Sequence, residues 1–267
     1  MPAPLGVFDS GIGGVSILLE IRKLLKSEDV IYFADSAWCP YGTKPVEQIR
    51  ERTLKITDFL VSQNSKAVVA ACNTACSAGL DLIRAKNQNI PVIGVEPGVK
   101  PAQGITRNGK IGVLSTNQTL QGEKFFMLVE KFGNGVEIFT QPAPGLAELV
   151  DQGQKDAQET AELLENYLRP LLAKGIDTLV LGCTHYPFLR GKIQEICGPS
   201  VILVDTGLAV AKQTERVLRY KNIANIALEE NVPGSVNFYT SGGADSVKKV
   251  LETLWDEKIE NVTHIDI

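Results

Sequence analysis

Val68-Val69-Ala70-Ala71-Cys72-Asn73-Thr74 and Leu179-Val180-Leu181-Gly182-Cys183-Thr184-His185 are one pattern written twice. In each, a short apolar run without polar alternation stops at a cysteine and passes into hydroxyl, amide or imidazole side chains. Such a run reads as a strand covered on both faces, the kind found in parallel sheets. Working outward, Gly6-Val7-Phe8-Asp9-Ser10 matches Gly112-Val113-Leu114-Ser115-Thr116, and Val92-Ile93-Gly94-Val95-Glu96 matches Val201-Ile202-Leu203-Val204-Asp205. The offset is 106 to 111 residues, and the cysteine stands 24 residues before the terminal acid in one half and 22 in the other. Three features recurring in one order predict two α/β units of similar topology related by a pseudo-twofold.

Apolar, β-branched runs alternate with segments of helical period along the whole chain, which predicts mostly parallel sheets flanked by helices. Strands are expected at Leu5 to Phe8, Val30 to Ala34, Ala67 to Ala71, Val92 to Val95, Lys110 to Leu114, Val136 to Phe139, Thr178 to Leu181, Val201 to Val204 and Val236 to Tyr239. Helices are expected at Val15 to Lys26, Val46 to Gln63, Ala157 to Lys174 and Leu208 to Tyr220. In the second, Ile49, Thr53, Ile56 and Leu60 fall on one face. The predicted division is residues 1–97 plus 208–267 as one domain and 98–207 as the other, with the active site in the cleft between them.

Composition narrows the function classes. The 267 residues carry 27 basic and 31 acidic side chains, a net charge of −4, with 44% hydrophobic and 22% charged residues. These are averages for a globular protein and argue against disorder or fibrous repeats. No basic stripe suggests a nucleic-acid partner. The start, from Met1 to Gly6, lacks a signal-peptide pattern, and no apolar run approaches the ~18 residues of a membrane span. A cytoplasmic protein without membrane contact is expected. The five cysteines, Cys39, Cys72, Cys76, Cys183 and Cys197, are too few for a disulfide scaffold.

The chemistry-bearing clusters all fall at predicted strand carboxyl ends, where parallel sheets bind ligands. Asp9-Ser10-Gly11-Ile12-Gly13-Gly14 offers glycines that let backbone amides approach an anion at a helix start. A dinucleotide loop needs glycine at the sixth position counted from Gly11, and Ser16 stands there. Cys72 and Cys183 share one place in the repeat, each before a helix, and a helix N-terminus draws a thiol's pKa from about 8.5 toward neutrality. Cys39, Cys76 and Cys197 have no repeat partner and are expected to be structural.

Several uses of the two thiols compete. Zinc ligation by Cys72, Cys76, Cys183 and His185 lacks the usual ligand spacing. A phosphatase loop would need arginine six positions after the cysteine, where Ala78 and Leu189 stand, with Arg190 one place late. Covalent catalysis by Cys183 with His185 leaves Cys72 without a role. Two thiols facing each other across a cleft can instead take a proton from one face of a carbon and deliver one to the other, inverting a stereocentre. Ser10, Asn73, Thr74, Thr116, Thr119 and Thr184 would hold carboxylates by hydrogen bonds. No lysine stands out as a Schiff-base former, so neither a pyridoxal cofactor nor a metal is expected.

At these residues the chain resembles the glutamate racemases of the aspartate/glutamate racemase superfamily. The resemblance rests on residues 8–14, on Asp35-Ser36 with Pro40-Tyr41-Gly42, on Ala71-Cys72-Asn73-Thr74-Ala75, on residues 96–102, and on Leu181-Gly182-Cys183-Thr184-His185-Tyr186-Pro187. It implies a cofactor-independent isomerase, commonly a homodimer, that interconverts L- and D-glutamate for peptidoglycan and hence for cell-wall biogenesis and cell shape. It further implies Cys72 and Cys183 as the acid/bases, assisted by Asp9 and His185. Asp9, Ser10, Tyr41, Gly42, Asn73, Thr74, Thr184 and His185 are the implied substrate contacts. Asp151 stands where the family usually has glutamate, and Trp38-Cys39 replaces the more usual pair before Pro40. Other racemases or isomerases of the superfamily, and a non-enzymatic anion-binding regulator, are the alternatives.

Overall fold

A computed structural model describes residues 3–225 and 233–267, so the first two residues of the amino-terminal reading lie outside it. Among the described residues ten strands form two sheets: β1 Leu5–Asp9, β2 Val30–Ala34, β3 Ala67–Ala70, β4 Val92–Gly94, β5 Lys110–Ser115, β6 Glu137–Pro142, β7 Thr178–Leu181, β8 Ile202–Val204, β9 Val236–Thr240 and β10 Val262–His264. The six-stranded sheet has the order β10-β9-β2-β1-β3-β4 and the four-stranded sheet the order β6-β5-β7-β8. All recorded pairings are parallel. Each half therefore contains the same four-strand arrangement, β2-β1-β3-β4 in one and β6-β5-β7-β8 in the other. The three sequence matches are β1 with β5, β3 with β7 and β4 with β8.

The physical reason for the parallel order is visible in burial. β1, β2, β3 and β7 are buried at every position, as strands covered by helices on both faces must be. Helix Val46–Ser62 turns Ile49, Thr53, Ile56 and Leu60 inward, all of them buried. One hydrophobic core packs around the first sheet, and two cores lie against the second.

After helix Gly207–Tyr220 the chain returns to the first sheet, where β9 pairs with β2 and β10 with β9. β10 was not anticipated from the sequence: it is three residues long, at the sheet edge, and only partly buried. In both halves the order reverses between the first and third strands, so a crevice opens outside their carboxyl ends. The loops after β1, β3, β5 and β7 carry Ser10, Cys72, Thr116 and Cys183. Among the described residues no helix is long and apolar enough to cross a membrane.

The return segment is held by aromatic packing. Phe238 of β9 sits with its ring centroid 5.8 Å from Tyr32 and 5.7 Å from Trp255. Phe238→Ala is expected to cost about 3–5 kcal/mol of unfolding free energy, the usual loss for a buried Phe. Urea denaturation checks this, and a loss below about 1 kcal/mol would show β9 to be peripheral.

Candidate active site

Cys72 follows β3 and caps helix Asn73–Lys86, its sulfur accepting from the Ala75 amide at 3.4 Å. The thiol donates to Ser10 Oγ at 3.6 Å. Cys183 follows β7, with its sulfur 3.6 Å from His185 Nδ1. The two thiols are 4% and 7% exposed, so both are nearly sealed from water.

Asp9 lies between the two clusters. It is fully buried, accepts from the Gly14 amide at 2.7 Å, and is approached by Ser10 Oγ and Thr184 Oγ1, each at 3.4 Å. The second contact ties the β1 loop of one half to the β7 loop of the other. Ser16 Oγ donates to the Thr184 carbonyl at 2.8 Å across the same divide. On its far side, Thr74 Oγ1 lies 3.0 Å from Thr116 Oγ1 and 3.3 Å from Thr119 Oγ1, a hydroxyl cluster that again joins the halves.

His185 is held by a residue outside the predicted set. Asp151, at the end of helix Leu146–Asp151, accepts from the Ile12 amide at 2.8 Å and meets His185 Nε2 at 2.8 Å through the same oxygen. An aspartate in place of the family's glutamate thus still reaches the imidazole. The glycine-rich loop makes this possible. A Cβ at Gly13 would stand 2.3 Å from His185 Nδ1, and one at Gly11 2.4 Å from the Asp151 carboxylate. Within this loop the Ile12 and Gly14 amides are bound to the protein's own carboxylates, Asp151 and Asp9.

Tyr41 and Gly42 are near but differently engaged. The Tyr41 hydroxyl donates to Asp35, which is also held by Arg52 at 2.6 Å and 3.0 Å and by Ser241 at 2.6 Å. Gly42 lies against Thr116, where a Cβ would approach the threonine Cβ to 2.9 Å. Asn73 is buried and its Nδ2 has no protein partner among the described residues, leaving a donor for a ligand.

Electrostatics depart from the helix-terminus expectation. Burial, and then the Asp9 charge, hold the Cys72 thiol well above its ordinary pKa against the Ala75 and Ser10 hydrogen bonds. The predicted shift toward neutrality is therefore corrected: desolvation disfavours the thiolate more than one helix end favours it. Burial also raises the Asp9 carboxyl, opposed by His185. For His185, burial pulls the pKa down, but Asp151 and then Cys183 and Cys39 overcome it and leave it well above its ordinary value. Of the cysteines expected to be structural, Cys76 donates to the Ala70 carbonyl at 3.2 Å and Cys197 packs in a core. Cys39 instead lies beside Asp151 and His185.

Residues 6–214 match the Asp/Glu/Hydantoin racemase family. The chain belongs to that family. It is 45% identical over 258 residues to the glutamate racemase of Ectopseudomonas mendocina (strain ymp), covering 97% of each chain. The glutamate racemase isoform RacE1 from Bacillus anthracis superposes with a TM-score of 0.88 at 32% identity, covering 99% of this chain and 98% of that one. The Escherichia coli glutamate racemase, solved with L-glutamate and the activator UDP-MurNAc-Ala, gives 0.85 at 31% identity, with 99% and 98% covered.

The electrostatic account makes a prediction for the unliganded protein. Alkylation of Cys72 by iodoacetamide, followed by peptide mass spectrometry, should stay slow at pH about 8 and accelerate only above the ordinary thiol range. Asp9→Asn removes a raising charge and should move that profile to lower pH. An unchanged profile in the variant would contradict the role given to Asp9.

Proposed function

We propose that the chain interconverts L- and D-glutamate by proton transfer at Cα between Cys72 and Cys183, without a cofactor. The observation that carries this reading is the placement of one cysteine at the same strand end in each of two equivalent halves, with the Asp9–Thr184 contact between them. Residues 1–97 with 208–267 act as one domain and 98–207 as the other, so that substrate lies between one thiol from each.

The two thiols have different partners, which gives them different duties. Cys72, kept neutral by burial and by Asp9, is the acid of the resting enzyme. Cys183, whose sulfur lies 3.6 Å from the His185 imidazole, is the base. After one turnover the proton assignments exchange, and the opposite enantiomer is the substrate. Asp9 and His185 act through the sulfurs. Ser10, Asn73, Thr74, Thr116, Thr119 and Thr184 hold the carboxylates and amine, with the Asn73 amide as the uncommitted donor. Tyr41 and Gly42 shape the wall of the site, Gly42 lying against Thr116 and Tyr41 anchored on Asp35. Because both thiols are nearly sealed, entry of glutamate parts the two halves and catalysis follows reclosure, a sequence that also excludes water. D-glutamate made in this way serves the cell wall, in a cytoplasmic enzyme that pairs as a homodimer.

Cys72→Ser and Cys183→Ser are each expected to lower racemisation by at least the 10²–10⁴-fold contribution typical of a positioned acid/base. In D2O the wild-type product should carry deuterium at Cα. Polarimetry with glutamate and with aspartate checks specificity. Normal turnover by either variant, or turnover of aspartate alone, would reject the reading.

A further inference from the structure

We propose that Cys39, Asp151 and His185 form a three-ligand site for a zinc-type divalent metal ion that bridges the two halves of the molecule and arrests turnover. Cys39 belongs to the loop after β2, Asp151 to the end of helix Leu146–Asp151, and His185 to the loop after β7. One sulfur, one carboxylate oxygen and one ring nitrogen from these residues all lie within 4.8 Å of one another. A tetrahedral zinc ion, with bonds of about 2.0–2.3 Å, holds its ligand atoms ~3.3–3.8 Å apart, so Asp151 Oδ1 and His185 Nε2, now 2.8 Å apart, must open slightly and exchange their hydrogen bond for two bonds to the metal as the Cys39 sulfur completes the set. The donor set of thiolate, imidazole and carboxylate suits zinc, whereas magnesium and calcium take oxygen ligands.

Access and support are both present. Cys39 and Asp151 line a cavity of about 700 Å³ together with Ser36, Gln152 and Gly242, giving an ion a route in and a fourth position for water. The Ile12 amide holds one Asp151 oxygen at 2.8 Å, and Cys183 faces His185 Nδ1 at 3.6 Å, so outer contacts already orient two ligands. Binding exchanges the Cys39 S–H bond for an S–metal bond and releases the proton to solvent; any proton on the coordinating ring nitrogen leaves likewise. With the metal on Nε2 the ring keeps only its Nδ1 proton and can no longer stand beside Cys183 as an imidazolium, and the ion ties the loop after β2 to the opposite half. The arrest of turnover rests on the role proposed for His185; the binding does not.

Cobalt(II) titrated into the reduced protein reads the binding directly. One equivalent should give a thiolate-to-cobalt charge-transfer band that zinc displaces. Cys39→Ala should lose the band, while Cys72→Ala and Cys183→Ala keep it. Cys39→Ala should keep the wild-type far-UV circular dichroism and cooperative urea unfolding, which shows that it folds, and should need at least about tenfold more zinc for half-inhibition of its own turnover. No band in the wild type, or an undiminished band and equal zinc sensitivity in Cys39→Ala, would overturn the proposal. A Cys39-dependent band in a protein that does not racemise glutamate would leave the metal site standing and remove the proposed activity instead.

Discussion

One oxygen of Asp151 accepts from the Ile12 amide and from His185 Nε2, and much of the site's geometry depends on that pair of contacts. The Ile12 bond joins the loop after β1 to the opposite half across 139 residues of sequence. The His185 contact sets which ring nitrogen is left to face Cys183. Glycines at positions 11 and 13 are needed because a side chain at either would occupy the space of this carboxylate or this imidazole. The glycine-rich loop thus serves close approach of two domains.

Burial sets the electrical character of the site. Asp9, Cys72, Cys183 and His185 are all buried, and an unpaired charge in such a place is costly. The structure answers by linking them: Asp9 to the Gly14 amide, Cys72 to Ser10, and His185 to Asp151. Burial holds the Cys72 thiol well above its ordinary range, while the hydrogen bond to Asp151 and the contacts with Cys183 and Cys39 raise His185 against the effect of burial. Two sulfurs in matching backbone positions therefore have unlike surroundings.

Much of the fold was legible before the structure because its signals are local. β2 and β7 have the bounds read from their apolar runs, and the internal repeat gave the correspondence of β1, β3 and β4 with β5, β7 and β8. β10 was missed because a short edge strand with Thr263 and His264 half in solvent has no continuous apolar run. In the site, the repeat and the family resemblance singled out the residues after β1, β3, β5 and β7 because these sit at strand ends. The position of Cys39 beside His185 and the reach of Asp151 to Ile12 were not legible, since both join distant parts of the chain. The pKa direction of Cys72 was misjudged for the same reason: a helix terminus is read locally, whereas desolvation depends on everything packed around the sulfur.

The central claim is that two thiols from opposite halves flank one carbon. A crystal structure with D-glutamate bound tests it most directly. The account predicts the Cα hydrogen axis running between the Cys72 and Cys183 sulfurs, which approach from opposite faces to within about 3–3.5 Å, the range of a near-attack arrangement. Glutamate bound with both sulfurs on one face, or with either thiol turned away from Cα in a closed complex, would contradict it.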